Sequence, residues 1–124
     1  MTPNTVAWFE VATADPDAAE EFYRELFGWT VAADPDSASA GMDYRLITYS
    51  GGDQPVGGIF GTGGSRPDHA VFSVVVADVG DACAKAEKLG GTVVFVETNP
   101  PTGPAFAYIK DRSGNLIGIF TPTR

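Results

Sequence analysis

The feature that most constrains this chain is that it repeats itself. Phe9-Glu10-Val11-Ala12-Thr13-Ala14-Asp15 aligns with Phe72-Ser73-Val74-Val75-Val76-Ala77-Asp78, sharing F-x-V-x-x-A-D at an offset of 63 residues. Gly28-Trp29-Thr30-Val31 aligns with Gly90-Gly91-Thr92-Val93 at an offset of 62, and Gly58-Ile59-Phe60 with Gly118-Ile119-Phe120 at 60. Three matches in the same order, with so little drift, identify two copies of one module of about 60 residues. At 124 residues the two copies make one domain rather than two conventional ones. The spacing assigns about 1–62 to the first module, a Gly/Pro/Ser-rich hinge to about 61–68, and about 69–124 to the second.

Each module reads the same way. A strand rich in β-branched and aromatic residues covers roughly 5–12, and its counterpart roughly 69–77. A helix follows, with Asp15 as N-cap, Pro16 in the first turn and Gly28 as the stop. Ala19, Phe22, Tyr23, Leu26 and Phe27 then form the stripe of a helix packed on one side. In the second copy Asp78 caps, Val79, Ala82, Cys83, Ala86 and Leu89 make the stripe, and Gly90 ends it. Cys83 on that stripe is a structural thiol rather than a nucleophile. Three extended runs follow each helix, at 28–33, 43–50 and 55–61 and at 91–97, 105–110 and 115–121. Pro/Gly/Ser-rich loops at Asp34–Gly41 and Asn99–Pro104 interrupt them. The fold class is α+β, as βαβββ twice.

Composition removes several functions. Sixteen acidic against eight basic residues give a formal charge of −8. Such a surface repels phosphate backbones, and Arg24, Arg45, Arg66, Arg112 and Arg124 are too scattered to form a basic patch, so no nucleic-acid partner is expected. No apolar run reaches the roughly 18 residues a membrane span needs. Met1-Thr2-Pro3-Asn4 carries neither the basic nor the apolar part of a signal peptide, which makes the cytoplasm the expected location. A single cysteine excludes an internal disulfide and a cysteine-rich metal cluster.

Trp8-Phe9-Glu10 leading to Asp15, Phe22-Tyr23-Arg24-Glu25-Leu26-Phe27-Gly28-Trp29, Leu89-Gly90-Gly91-Thr92-Val93 and Lys110-Asp111-Arg112-Ser113-Gly114-Asn115-Leu116-Ile117-Gly118-Ile119 together resemble the vicinal oxygen chelate superfamily. That family includes glyoxalase I, bleomycin-resistance proteins and extradiol dioxygenases. The resemblance implies two tandem βαβββ modules pairing curved mixed sheets around a cup. In the family's metalloenzymes, a His or Glu on the first and last strands of each module holds a divalent ion. Those four positions carry over onto Trp8, Gly58, Val71 and Gly118, which the internal repeat pairs as Trp8 with Val71 and Gly58 with Gly118. None of the four side chains can ligate a metal, and neither can the neighbours Ala7, Phe9, Gly57, Ile59, Ala70, Phe72, Ile117 and Ile119. No metal and no cofactor is therefore expected, and glyoxalase or dioxygenase chemistry loses its central device.

Alternation along the strands assigns the faces. Phe9, Val11, Ile59, Phe72, Val74, Val76, Ile117 and Ile119 should pack beneath the helices. The opposite parity carries Val6, Trp8, Glu10, Val56, Gly58 and Phe60 in the first module, and His69, Val71, Ser73, Leu116, Gly118 and Phe120 in the second. An apolar cleft with a few polar groups is what a small-molecule site looks like. Glu10 needs a partner such as Arg45, a place at the wet rim, or a function. Tyr44 and Tyr49 are sheet-face aromatics, either of which can border a ligand.

The leading reading is a metal-free binding protein. A small, partly aromatic molecule would meet Trp8, Phe60 and Phe120, oriented by Glu10 and Ser73, with Gly58, Val71 and Gly118 beside it. Family members that sequester drugs in this way are dimers, so a homodimer is expected. A second reading is a metal-independent lyase or isomerase using Glu10 and His69 for proton transfer. A third is a structural or partner-binding domain.

Overall fold

A computed structural model of the chain describes residues 2–100 and 103–122. Met1, residues 101 and 102 within the loop at 99–104, Thr123 and Arg124 lie outside the described residues. The element order is β1 (Thr5–Thr13), α1 (Pro16–Phe27), β2 (Thr30–Ala33), α2 (Pro35–Ser39), β3 (Asp43–Thr48), β4 (Pro55–Gly61), β5 (His69–Val75), α3 (Val79–Lys88), β6 (Thr92–Glu97), β7 (Ala105–Lys110) and β8 (Leu116–Thr121). The fold class is α+β. The one element absent from the sequence reading is the short helix α2, inside the Pro/Ser-rich loop after β2. Asp34 and Pro35 start it, and the Ser37 hydroxyl donates to the Asp34 carboxylate at 2.7 Å.

The described residues fall into two compact units, 8–70 on one side and 2–7 with the described residues from 71 to 122 on the other. In the first unit the strands run in the order β2-β3-β4-β1, with β1 parallel to β4 and the other pairs antiparallel. In the second the order β6-β7-β8-β5 repeats this, with β5 parallel to β8. A parallel pair needs a long crossover connection. Each module supplies one, consisting of its helix and two of its strands.

Helix ends follow the sequence signals. The Asp15 carboxylate accepts from the Ala18 N–H, and the Asp78 carboxylate from the Asp81 N–H. Gly28 adopts a left-handed conformation (φ 71°), and its N–H closes the helix on the Arg24 carbonyl.

The first unit's core lies between α1 and the sheet. Ile47 and Ile59 are fully buried. Beside them Phe9, Tyr23, Phe27, Trp29 and Tyr49 form a continuous aromatic cluster, with ring centroids 4.8 to 6.4 Å apart. Gly57 is required here, because a Cβ on it would lie 2.7 Å from the Phe9 ring. The Arg45 guanidinium fastens α1 to β3 through Asp17 at 2.8 Å and Glu20 at 3.0 Å, and also binds its strand neighbour Asp43 at 3.0 Å. In the second unit Val79, Cys83, Ala107 and Ile119 form the buried cluster, with Val74, Val93 and Ile109 packed on it. Burial, followed by the charge of Glu87, pushes the Cys83 thiol up, consistent with an inert structural residue.

Five residues expected under the helices are exposed, among them Phe27, which is half-exposed although its ring stacks in the aromatic cluster. Phe22 and Leu26 flank the part of α1 that meets the sheet: Tyr23 and Phe27 of the same stripe already fill the aromatic cluster. Leu89 follows the last turn of α3 as its C-cap and so leaves the stripe. Phe72 precedes Ser73, where the register of β5 on β8 begins, and is 45% exposed.

Two outcomes are expected. Ile59→Ala should lower stability by about 3 kcal/mol, read from urea unfolding. Arg45 hydrogen bonding holds the Asp43 carboxyl below its ordinary value. That contribution is present above about pH 4 and is lost as pH falls through the lower folded-state value. Arg45→Met should therefore flatten the acid limb of a stability–pH profile below about pH 4, and an unchanged limb would contradict this.

Candidate functional site

Strand register builds one face of the first sheet. Glu10 stands opposite Gly58 on β4, and Gly58 opposite Leu46 on β3. Two residues along, Ala12 stands opposite Phe60 and Phe60 opposite Tyr44. Residues directly opposite share a face. Glu10, Ala12, Tyr44, Leu46, Gly58 and Phe60 therefore lie together, on the side away from Phe9 and Val11. Trp8 has the same parity, and its indole N–H donates to the Tyr44 phenol oxygen at 2.9 Å. The Tyr44 and Phe60 rings are 6.2 Å apart, and the Arg66 guanidinium sits 5.6 Å from the Phe60 centroid. Glu10 is only 8% exposed.

The Tyr44 ring lies across Gly58. A Cβ on Gly58 would fall inside that ring, against its Cε1, Cζ and Oη atoms. Two adjacent glycines thus serve opposite faces of one strand, Gly57 making room for Phe9 and Gly58 for Tyr44.

The strands of the second unit have a corresponding face. Ser73 stands opposite Gly118 and Gly118 opposite Tyr108, while Phe120 lies between Val75 and Phe106. Val71 and Tyr108 are buried. A Cβ on Gly118 would overlap the Ser73 hydroxyl oxygen.

The four positions at which the resemblance places metal ligands do not fit a metal. Trp8 presents an N–H donor there, Val71 is aliphatic, and the space at Gly58 and Gly118 is filled by Tyr44 and Ser73. Among the described residues, no group of three or more His, Cys, Asp or Glu side chains is placed to hold an ion.

His69 sits elsewhere. It lines a groove of about 500 Å³ beside α1, with Val11, Thr13, Ala18, Phe22 and Asp68, and Glu10 is not among the lining residues. Asp68 frames that groove by accepting from the Thr13 hydroxyl at 2.8 Å and the Ala14 N–H at 3.0 Å. Arg45 is not the partner expected for Glu10, because it stands opposite Ile59 and so faces α1 and its carboxylates. Tyr49 likewise belongs to the aromatic cluster beneath the helix.

Sequence reasoning left Tyr44 undecided and passed over Tyr108, Phe106 and Arg66. The repeat held the signal for two of them. Tyr44 and Phe106 are 62 residues apart, within the range of the other offsets, and both stand opposite the phenylalanine of the G-I-F match.

Comparison with known proteins agrees with this architecture. Residues 5–119 match the family model of the Glyoxalase/Bleomycin resistance protein/Dioxygenase superfamily. A provisionally named glyoxylase of Mycobacterium tuberculosis, CFP32, is 31% identical over 121 residues, covering 95% of this chain and 44% of its own length. The anthracycline biosynthesis protein DnrV of Streptomyces peucetius is 29% identical over 131 residues, covering 97% and 48%. The chain thus spans under half the length of these relatives. Among solved structures, a Streptomyces coelicolor methylmalonyl-CoA epimerase variant in complex with 2-nitronate-propionyl-CoA superimposes with a TM-score of 0.68 at 17% identity, covering 99% of this chain and all of that one. The Mycobacterium tuberculosis methylmalonyl-CoA epimerase gives 0.63 at 17% identity, covering 100% and 93%. These likenesses establish the fold.

Gly58→Ala should destabilise the protein by about 1–3 kcal/mol through overpacking against Tyr44. Adding Tyr44→Ala should recover part of that loss in a double-mutant cycle followed by urea unfolding. Strict additivity would mean that the ring does not occupy the space over Gly58.

Proposed function

Since the chain belongs to the Glyoxalase/Bleomycin resistance protein/Dioxygenase superfamily, we propose that it binds a small, partly aromatic molecule without a metal, on the face that carries Trp8, Glu10, Gly58 and Phe60. Val71, Ser73, Gly118 and Phe120 play the corresponding part on the strands of the second unit. The observation that carries this reading is the hydrogen-bonded Trp8–Tyr44 pair beside Phe60, around a glycine at the family's ligand position. Aromatic rings offer a large apolar contact area with polar tips for orientation, which suits a planar ligand. The Glu10 carboxylate, when ionised, is an acceptor for a hydroxyl or N–H on that ligand. The relative DnrV is named for anthracycline biosynthesis, which supports an aromatic ligand class. A homodimer goes with this reading, as in the family members that sequester drugs. A cytoplasmic setting, in which Cys83 stays a thiol, is consistent with it.

The alternative of proton transfer by Glu10 with His69 has less support. It needs both groups at one substrate, and His69 lines the groove beside α1 while Glu10 does not. Glu10 alone remains the group to vary if turnover is found.

Anthraquinone-2-sulfonate is a soluble planar probe. It should quench tryptophan fluorescence saturably, and Trp8→Ala should weaken its binding at least tenfold, whereas Trp29→Phe should not. Absence of saturable binding, or binding indifferent to Trp8, would contradict the reading. Protein soaked with Ni²⁺ or Zn²⁺ and dialysed should retain far less than one equivalent by elemental mass spectrometry. Stoichiometric retention would restore a metal-dependent function.

A further inference from the structure

We infer that the flank of α1 carrying Phe22 and Leu26, with the groove beside it, is a docking surface for a basic amphipathic helix. This surface is separate from the candidate ligand face. The groove is lined by Val11, which points to the opposite side of β1 from Trp8 and Glu10.

The first observation is an uncovered apolar row. Ala18, Phe22 and Leu26 follow one another at one-turn spacing along α1, and Phe22 is 60% and Leu26 58% exposed. The Phe22 ring is held edge-on against Tyr23 at 5.5 Å, so covering it orders little that is loose. An exposed apolar patch bordered by charged residues marks an interaction site.

The second observation is the groove of about 500 Å³ that opens beside this row. Ala18, Ala19 and Phe22 line it from the helix, and Val11 and Ala70 from the strands. Small side chains at 18, 19 and 70 leave room for an apolar anchor from outside. A helix laid along α1 presents its own apolar side chains at the same one-turn spacing, so its ridge can settle beside the Phe22–Leu26 row.

Charge complementarity then selects the occupant. Glu25 is three residues from Phe22 and Glu21 three from Ala18, so two exposed carboxylates border the row. Asp15 and Asp68 line the groove, and no lysine or arginine does. Asp15 accepts from the Ala18 N–H, and Asp68 from the Thr13 hydroxyl and the Ala14 N–H. All three donors are neutral, so the negative charge of both carboxylates stays uncompensated by these bonds. Arg24, the basic residue of α1, is engaged by Glu20 at 3.1 Å. A second copy of this chain, with its formal charge of −8, would set carboxylates against carboxylates, and an anionic lipid surface would do the same. A helix with lysines or arginines flanking its apolar stripe is attracted instead.

A fluorescein-labelled helical peptide of leucine and lysine tests this by fluorescence anisotropy. Its controls carry glutamate in place of lysine, or serine in place of leucine. The leucine–lysine peptide should bind saturably, and each control at least tenfold more weakly. Phe22→Gln with Leu26→Gln, which keeps good helix formers at exposed positions, should lower its affinity at least tenfold. Glu21→Gln with Glu25→Gln leaves every apolar contact in place and should lower affinity at least threefold, with a weaker dependence on added salt. Trp8→Ala, on the other face, should change it less than twofold. No saturable binding, equal binding of the glutamate peptide, or affinity indifferent to either pair of substitutions would overturn the inference.

Discussion

The hydrogen bond from the Trp8 indole to the Tyr44 phenol spans the first sheet from β1 to β3, over the central strand β4. It forms only because Gly58 presents no side chain in between. A contact of this kind contributes about 1 kcal/mol, so its importance lies in placement rather than stability. It fixes an aromatic ring and a polar oxygen at the middle of a face that otherwise carries Leu46, Phe60 and the buried carboxylate of Glu10. On the reverse of the same strand, Gly57 lets Phe9 close down into the aromatic cluster under α1. One glycine pair thus couples the core on one side of the sheet to the candidate ligand face on the other.

A fold that hosts metalloenzymes does not carry their chemistry with it, because the chemistry belongs to a few side chains. At the positions where the family resemblance would place such side chains, this chain has a tryptophan, a valine and two glycines, with the Tyr44 ring over one glycine and the Ser73 hydroxyl beside the other. That packing matters physically, because a strand glycine with nothing over it would leave a hole, whereas the phenol ring and the seryl group fill the space.

Much of the fold could be read from the sequence because its signals are local. The F-x-V-x-x-A-D repeat located both opening strands, Asp15 and Asp78 marked both helix starts, and Gly28 marked a left-handed stop. Helix α2 was missed because Pro35, Ser37 and Ser39 read as loop, although Asp34-Pro35 repeats the Asp15-Pro16 start signal and the Asp34–Ser37 contact is local. The exposed Phe22 and Leu26 show the limit of periodicity: it gives the apolar face of a helix but not the width of the surface that covers it. At the site, alternation placed Trp8, Glu10, Gly58 and Phe60 on one side, and the register agrees for the last three. His69, at the start of its strand, was beyond its reach, and Arg45 needed the register of β3 on β4, which sets it opposite Ile59. Tyr44 needed the cross-strand register, which no single strand contains.

The most direct measurement is the pair of indole N–H resonances in a ¹⁵N-correlated NMR spectrum during titration with anthraquinone-2-sulfonate. Trp8 lies on the candidate face and Trp29 in the cluster beneath α1, so the chain contains its own control. The Trp8 indole resonance should shift saturably while that of Trp29 stays within a small fraction of that change. Movement of Trp29 alone, or of neither, would contradict it.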